Sequence, residues 1–168
     1  MYHFIGIKGS GMASLALILH GLGFEVQGSD IDEHLFTEDE VRAAGIKILP
    51  FSADNIKEDM MIVKGNAFKD THEEVVRAKE LGLKIYSYQE MIAKLTERFE
   101  TITIAGCHGK TTTTSMLSHV LKNITGCNYL IGDGTGYANK DNKYFVLEAC
   151  EWQRHFLAYK PYYAIITN

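Results

Sequence analysis

The sequence predicts an α/β protein made of two successive units, each a parallel sheet flanked by helices. Three observations carry this. Strand-like and helix-like segments alternate from end to end, the pattern of parallel strands joined by crossover helices. Two glycine-rich stretches, Gly6–Gly11 and Gly106–Thr111, each follow a strand-like run and open a helix-like one. No Pro- or Ser-rich linker and no internal repeat interrupts the chain, so the seam falls where the pattern restarts, near Phe99–Glu100. That gives units 1–98 and 99–168 within 168 residues.

Taken in order, Tyr2–Ile7 reads as a buried strand. Met12, Leu15, Ala16, Leu19 and Leu22 recur at helical spacing, so Gly11–Gly21 reads as a helix. Gly23 turns the chain into a second strand, Phe24–Gln27. Thr37–Ala44 reads as a helix, with Thr37 as cap and Glu40 as its box partner three residues on. Ile46–Leu49, closed by Pro50, and Met60–Val63 are short strands. Asp70 or Thr71 caps a helix that runs through Leu81 and ends at Gly82. Leu83–Tyr86 is a strand, and Gln89–Arg98 a helix carrying Met91, Ile92 and Leu95. The pattern then restarts with a strand over Thr101–Ala105 and a helix over Thr111–Asn123. Tyr129–Ile131, Tyr144–Leu147 and Tyr162–Thr167 are strands, and Gly132–Gly136 and Asn139–Asn142 are turns.

Composition excludes several classes. The net charge is −4 and no basic run exceeds a residue or two, which argues against nucleic acid and anionic membrane as partners. No apolar run approaches the ~20 residues of a membrane span, and no charged segment precedes an apolar one as in a signal peptide. Cys107, Cys127 and Cys150 are odd in number and lack C-x-x-C spacing, which suits a reducing, cytoplasmic setting. The seven histidines show no metal-ligand spacing.

Gly6-Ile7-Lys8-Gly9-Ser10-Gly11 is G-x-x-G-x-G, not the dinucleotide fingerprint G-x-G-x-x-G. The physics is shared: glycines let backbone approach a diphosphate, and a helix N-terminus offers N–H groups and partial positive charge. Asp30, at the end of the second strand, lies where an acidic residue faces the nucleoside part of a ligand in such folds. A tight turn bound to nothing is the plainer alternative. A nicotinamide-dependent oxidoreductase is another, though the glycine spacing is against it and it gives Lys110 no role.

Gly106-Cys107-His108-Gly109-Lys110-Thr111 resembles a phosphate loop shortened at its start, with Ile104 where G-x-x-x-x-G-K-[ST] needs its first glycine. Lys110 is positioned to neutralise the phosphates of a nucleoside triphosphate, and the Thr111 hydroxyl to coordinate Mg²⁺. Thr112, Thr113 and Thr114 are poor helix formers, better explained in a first turn as caps and phosphate contacts. Cys107 has no base at a motif spacing, and His108 reads as a loop residue. Phe145-Val146-Leu147-Glu148 is an apolar strand ending in a carboxylate that after such a loop commonly reaches the metal; an ordinary solvated strand end is the alternative.

H-F-I-G-I-K-G-S-G-M with G-S-D, then A-G-C-H-G-K-T-T-T-T, F-V-L-E-A-C-E and A-I-I-T-N, together resemble the Mur ligase family over the whole chain, in order. That family's loop is G-x-x-G-K-[ST], which accounts for the shortened form. The resemblance implies a Rossmann-like UDP-substrate domain followed by the first part of a P-loop ATPase domain, with a third domain beyond Asn168. It implies a cytoplasmic, ATP- and Mg²⁺-dependent step of peptidoglycan synthesis in which the carboxylate of UDP-N-acetylmuramate is activated as an acyl phosphate and captured by L-alanine. By position it assigns Gly9, Ser10, Gly11, Asp30 and Asn66 to the UDP substrate. Gly106, Cys107, His108, Gly109, Lys110, Thr111 and Thr112 go to ATP, with Lys110 and Glu148 catalytic and Thr111 and Glu148 on the metal. Cys107 and Cys150 depart from the family pattern. A non-catalytic UDP-sugar module and a muropeptide-recycling sister ligase stay open beside this reading, and Gly11 counts against the latter. Ending inside a sheet, the 168 residues are expected to be inactive alone and prone to self-association through an open edge.

Overall fold

The four residues of β1 (Tyr2–Ile5) are all buried, and the first unit is assembled around them. In this computed structural model residues 1–149 and 157–168 are described; Cys150 and Glu151 of the F-V-L-E-A-C-E stretch lie outside them. The chain divides into two units, Met1–Tyr88 and Gln89–Asn168.

In the first unit β1 leads through α1 (Ser10–Gly21) to β2 (Val26–Ser29), then α2 (Glu38–Ala43) and β3 (Lys47–Leu49). A 3₁₀ turn (Ala53–Asn55), β4 (Met61–Lys64), α3 (Glu73–Glu80) and β5 (Lys84–Ser87) follow. The order is β3-β2-β1-β4-β5, with every pair parallel. The chain runs outward from β1 to β3, then returns to start again at β4. Its switch point is therefore between β1 and β4, the place where open α/β sheets leave a crevice at their carboxyl ends. Strands buried on both faces explain the near-continuous apolar runs of β1 and β4. Met12, Leu15, Ala16 and Leu19 of α1 are buried, as their spacing predicts. Ile5 and Ile62 pack with Val75 and Ala78 of α3 in one core cluster.

Two expected caps are corrected. Thr37 does occupy the cap position of α2, but its hydroxyl makes no cap bond and donates to the Lys8 carbonyl instead, so there is no capping box. The helix assigned to an Asp70 or Thr71 cap starts later: His72 is its cap, and its Nδ1 accepts from the Glu74 amide at 3.3 Å. Asp70 serves as an ion-pair partner of Lys64 and Lys79.

The second unit contains β6 (Glu100–Ala105), α5 (Lys110–Ile124), β7 (Cys127–Leu130), β8 (Gly136–Tyr137), β9 (Tyr144–Glu148) and β10 (Tyr163–Ile166). α4 (Tyr88–Arg98) begins at the division between the units. The order is β10-β6-β9-β7-β8, parallel except for the β7–β8 hairpin. β8 was not legible in the sequence, where Gly136 reads as the end of a turn. Its Tyr137 stacks on Tyr129 at 5.5 Å, and two residues are too few to show a period. Ile102, Ile104, Cys127 and Val146 form the core under Leu117 and Leu121 of α5. Burial pushes the Cys127 thiol above its ordinary pKa, as befits a packing residue. β10 is an edge strand with all four residues exposed. Among the described residues no helix is long and apolar enough to cross a membrane.

Candidate nucleotide sites at the two glycine loops

In the second unit β6 ends at Ala105 and the chain must reverse into α5 within four residues. Gly106 and Gly109 allow it with φ of +141° and +79°. At Gly106 a side chain is excluded twice over, because a Cβ would overlap the Thr167 hydroxyl and meet the Asn168 carbonyl oxygen at 3.0 Å. The loop is tied to the strand end beside it. Thr167 accepts nothing in this exchange: its amide donates to the Ala105 carbonyl at 2.8 Å and its hydroxyl to the His108 carbonyl at 2.5 Å. The Cys107 and His108 amides converge on the Asn168 carbonyl oxygen at 2.6 and 3.4 Å.

α5 opens on Gly109 with no side-chain cap, so its first-turn amides depend on groups other than a capping side chain. Lys110 Nζ reaches back to donate to the Gly106 carbonyl at 2.8 Å. The Thr111 hydroxyl donates to Glu148 Oε1 at 3.2 Å, joining the first turn of α5 to the end of β9. The other Glu148 oxygen accepts from the Gly132 amide at 2.9 Å. Residues 37 positions apart meet because β9 pairs in parallel with β6, with Glu148 opposite Ile104. Cys107, His108, Gly109, Thr111 and Thr112 are exposed along this edge.

The Thr111 and Glu148 oxygens suit a Mg²⁺ site. Adjacent oxygens of an octahedral ion with ~2.1 Å bonds lie about 3 Å apart, close to the distance found here. Among the described residues no group of three or more His, Cys, Asp or Glu side chains could hold a metal, so water and phosphate oxygens would complete such a shell. The Gly132 amide was missed in the sequence, as was any structural role for Thr167 and Asn168. A glycine turn after one strand and the T-N end of another are the signals, but they gain meaning only once β7, β9 and β10 are known to share a sheet edge with the loop.

In the first unit Gly6 takes φ +84°, and the Phe68 ring lies where its Cβ would be. α1 opens on Gly9, again without a side-chain cap. Gly9 and Ser10 are exposed and Gly11 is half-buried. The Gly65 amide donates to the Ile5 carbonyl at 3.0 Å, which brings exposed Asn66 to the same sheet edge across the switch point. Asp30 is buried, and both its oxygens accept backbone amides: Lys8 at 2.7 Å and Ile31 at 2.8 Å. Lys8 turns away from solvent and pairs with Glu38, whose other oxygen accepts from Arg42 at 3.0 Å.

The hydrogen bond from Lys8, helped by Arg42, holds the Glu38 carboxyl at about 2 against an ordinary 4.5. A depressed folded value means that its stabilisation is complete above 4.5 and is lost as pH falls toward about 2. Glu74 acts in the same sense: burial raises its pKa, but hydrogen bonds from His3, Ser29 and Asn55 outweigh that and leave it lowered. Glu38→Gln is expected to flatten the acid limb of the stability–pH curve over that interval, as read by urea unfolding. An unchanged limb would exclude the pair as its source.

Together these features define a two-unit α/β protein with a glycine loop opening a helix at the carboxyl edge of each sheet. Residues 1–100 match the model of the Mur ligase family, catalytic domain, and the chain belongs to the Mur ligase family. It is 56% identical over all 168 residues to a UDP-N-acetylmuramate–L-alanine ligase of Lactiplantibacillus plantarum, and spans 38% of that protein's length. The UDP-N-acetylmuramate–alanine ligase of Thermotoga maritima superposes with a TM-score of 0.82 at 31% identity, over 99% of this chain and 41% of its own. The UDP-N-acetylmuramate:L-alanyl-gamma-D-glutamyl-meso-diaminopimelate ligase of Neisseria meningitides gives 0.81 at 29%, over 98% and 59%.

Proposed function

We propose that these residues form the UDP-substrate unit, 1–98, and the first part of the ATP-binding unit, 99–168, of a cytoplasmic ligase. The reaction joins L-alanine to UDP-N-acetylmuramate in peptidoglycan precursor synthesis. The observation that carries the catalytic part is the contact of Thr111 with Glu148 at the start of α5, next to Lys110 in the same glycine loop. The choice among ligases is supported by the 56% identity to the alanine-adding enzyme. Structural likeness alone does not separate that enzyme from the recycling one, at TM-scores of 0.82 and 0.81.

The chemistry is a phosphoryl transfer followed by an acyl transfer. A substrate carboxylate oxygen takes the γ-phosphoryl group of ATP and ADP leaves. The L-alanine nitrogen then bonds to the acyl carbon, the carbon–oxygen bond to phosphate breaks, and the ammonium proton is lost. Lys110 places positive charge where it develops on the transferring group, and the loop amides and helix N-terminus hold the phosphates. Thr111 and Glu148 would hold Mg²⁺, which would neutralise phosphate charge. Gly9, Ser10, Gly11, Asp30 and Asn66 form the UDP-substrate edge, Asp30 by fixing the loop backbone. Nucleic acid and membrane are not partners in this reading. The exposed edge of β10 favours self-association. The 168 residues on their own are expected to bind without ligating, and alanine-dependent phosphate release from them would contradict that. Titration with UDP-N-acetylmuramate tests the substrate assignment.

A further inference from the structure

Lys8 stands in the first glycine loop where a sequence reader would give it the diphosphate. The structure gives its charge other work. Its side chain is 3% exposed, and Nζ donates to the carbonyls of Ile31 at 2.8 Å and Glu33 at 2.7 Å while pairing with the Glu38 carboxylate. Its peptide group is tied to the same stretch: the amide donates to Asp30 and the carbonyl accepts from the Thr37 hydroxyl. Five contacts thus fasten one loop residue to the stretch from Asp30 to Glu38. Residues 31–37 form neither helix nor strand, and Ile31, Asp32, Glu33, His34 and Phe36 are exposed. With so little burial of its own, this segment depends on Lys8 for its course.

We propose that Lys8, locked to Glu38, is a positioning residue that holds segment 31–37 as a wall beside the first glycine loop, and that it is not a phosphate ligand. This rests on the reading of the first unit as a UDP-sugar site and deepens it. The diphosphate is then held by backbone N–H groups and the α1 N-terminus, and the segment, with Phe36 82% exposed, borders the nucleotide-sugar. A lysine ammonium already satisfied by one carboxylate and two carbonyls has no donor to spare for a ligand.

The test is calorimetric titration of UDP-N-acetylmuramate, and of UDP, into the whole chain, Lys8→Met, Glu38→Gln and the double variant, at low and high salt. Amide hydrogen exchange is followed in parallel. If either single change leaves the segment ordered about a tenth of the time, Kd rises about tenfold, because apparent affinity scales with the competent fraction. The double variant is expected to lose no more than the worse single one, with the salt dependence of binding kept and exchange accelerated at residues 31–37 but not in β1. The opposite result is Glu38→Gln binding as well as or better than the unaltered chain while Lys8→Met loses both affinity and salt dependence. That pattern marks a direct phosphate contact and overturns the proposal, as do unchanged Kd and exchange in both. Should Lys8→Met not fold, Glu38→Gln, which keeps the shape and an acceptor, decides alone. Failure of the unaltered chain to bind would instead sink the functional reading itself.

Discussion

Glu74→Ala is expected to destabilise the first unit by about 2–3 kcal/mol, the upper range for hydrogen bonds lost to a buried charged acceptor. Glu74 is fully buried, on α3 against the sheet. Its Oε2 accepts from the Ser29 hydroxyl at 2.5 Å and faces His3 Nε2 at 3.5 Å. Its Oε1 accepts from the Asn55 side chain at 2.8 Å and the Ser52 amide at 3.2 Å. The Gln27 side-chain amide lies 3.1 Å from His3 Nδ1 and donates to it, which puts the imidazole hydrogen on Nε2, toward Ser29 and Glu74. Alanine leaves the buried Ser29 hydroxyl without its acceptor, at about 1–3 kcal/mol for a group left unsatisfied, while Asn55 keeps the Pro50 carbonyl at 2.8 Å. Against a whole-domain stability of about 5–15 kcal/mol such a loss is a large fraction. Chemical denaturation followed by circular dichroism, with exchange at β1 to report on this unit, measures it. A loss under about 1 kcal/mol would mean that the network contributes little. Glu74→Gln, which keeps one acceptor oxygen, is expected to cost less.

The second large effect is on ligand affinity, not stability. Lys110→Met is expected to weaken ATP binding by the chain about 10- to 150-fold, the equivalent of 1.5–3 kcal/mol for a hydrogen bond to a charged group. Methionine keeps the length and apolar stem of lysine and removes the ammonium, so the half-exposed helix start is little disturbed. Thr111→Val should weaken binding in the presence of Mg²⁺ more than in its absence, because only the hydroxyl is lost. Equal ATP affinity in Lys110→Met and the unaltered chain would remove Lys110 from the phosphate site, as would no ATP binding by either.

Much of this fold was legible in the sequence for an identifiable reason. Parallel strands buried on both faces write themselves as short apolar runs, and a helix such as α1 repeats its buried positions at a period of 3.6. Glycine at a strand-to-helix turn marks where the backbone takes a positive φ, as at Gly6, Gly106 and Gly109. What was not legible depends on contacts between segments distant in the chain. Thr37 has the spacing of a capping box, but the Lys8 carbonyl competes for its hydroxyl and wins. Asp70 and Thr71 looked like caps, yet the two lysines beside Asp70 draw it away and His72 takes the position. Lys8 carries no sequence signal for a partner thirty residues on, and only the fold shows the Glu38 carboxylate beside it. At the second loop, Lys110 and Thr111 were recognisable from spacing, and Glu148 from a strand ending in an acid. The Gly132 amide that orients Glu148 carries no side-chain signal at all.

On this reading the first unit, with its uncapped α1 at the switch point of the sheet, holds a UDP-sugar. Isothermal titration of UDP-N-acetylmuramate into the 168-residue chain tests it most directly, with NADH as the competing ligand. Saturable one-to-one heat with UDP-N-acetylmuramate, and none with NADH, is the expected result; no heat with UDP-N-acetylmuramate at concentrations of about 1 mM, near the weak limit of specific recognition, would contradict it.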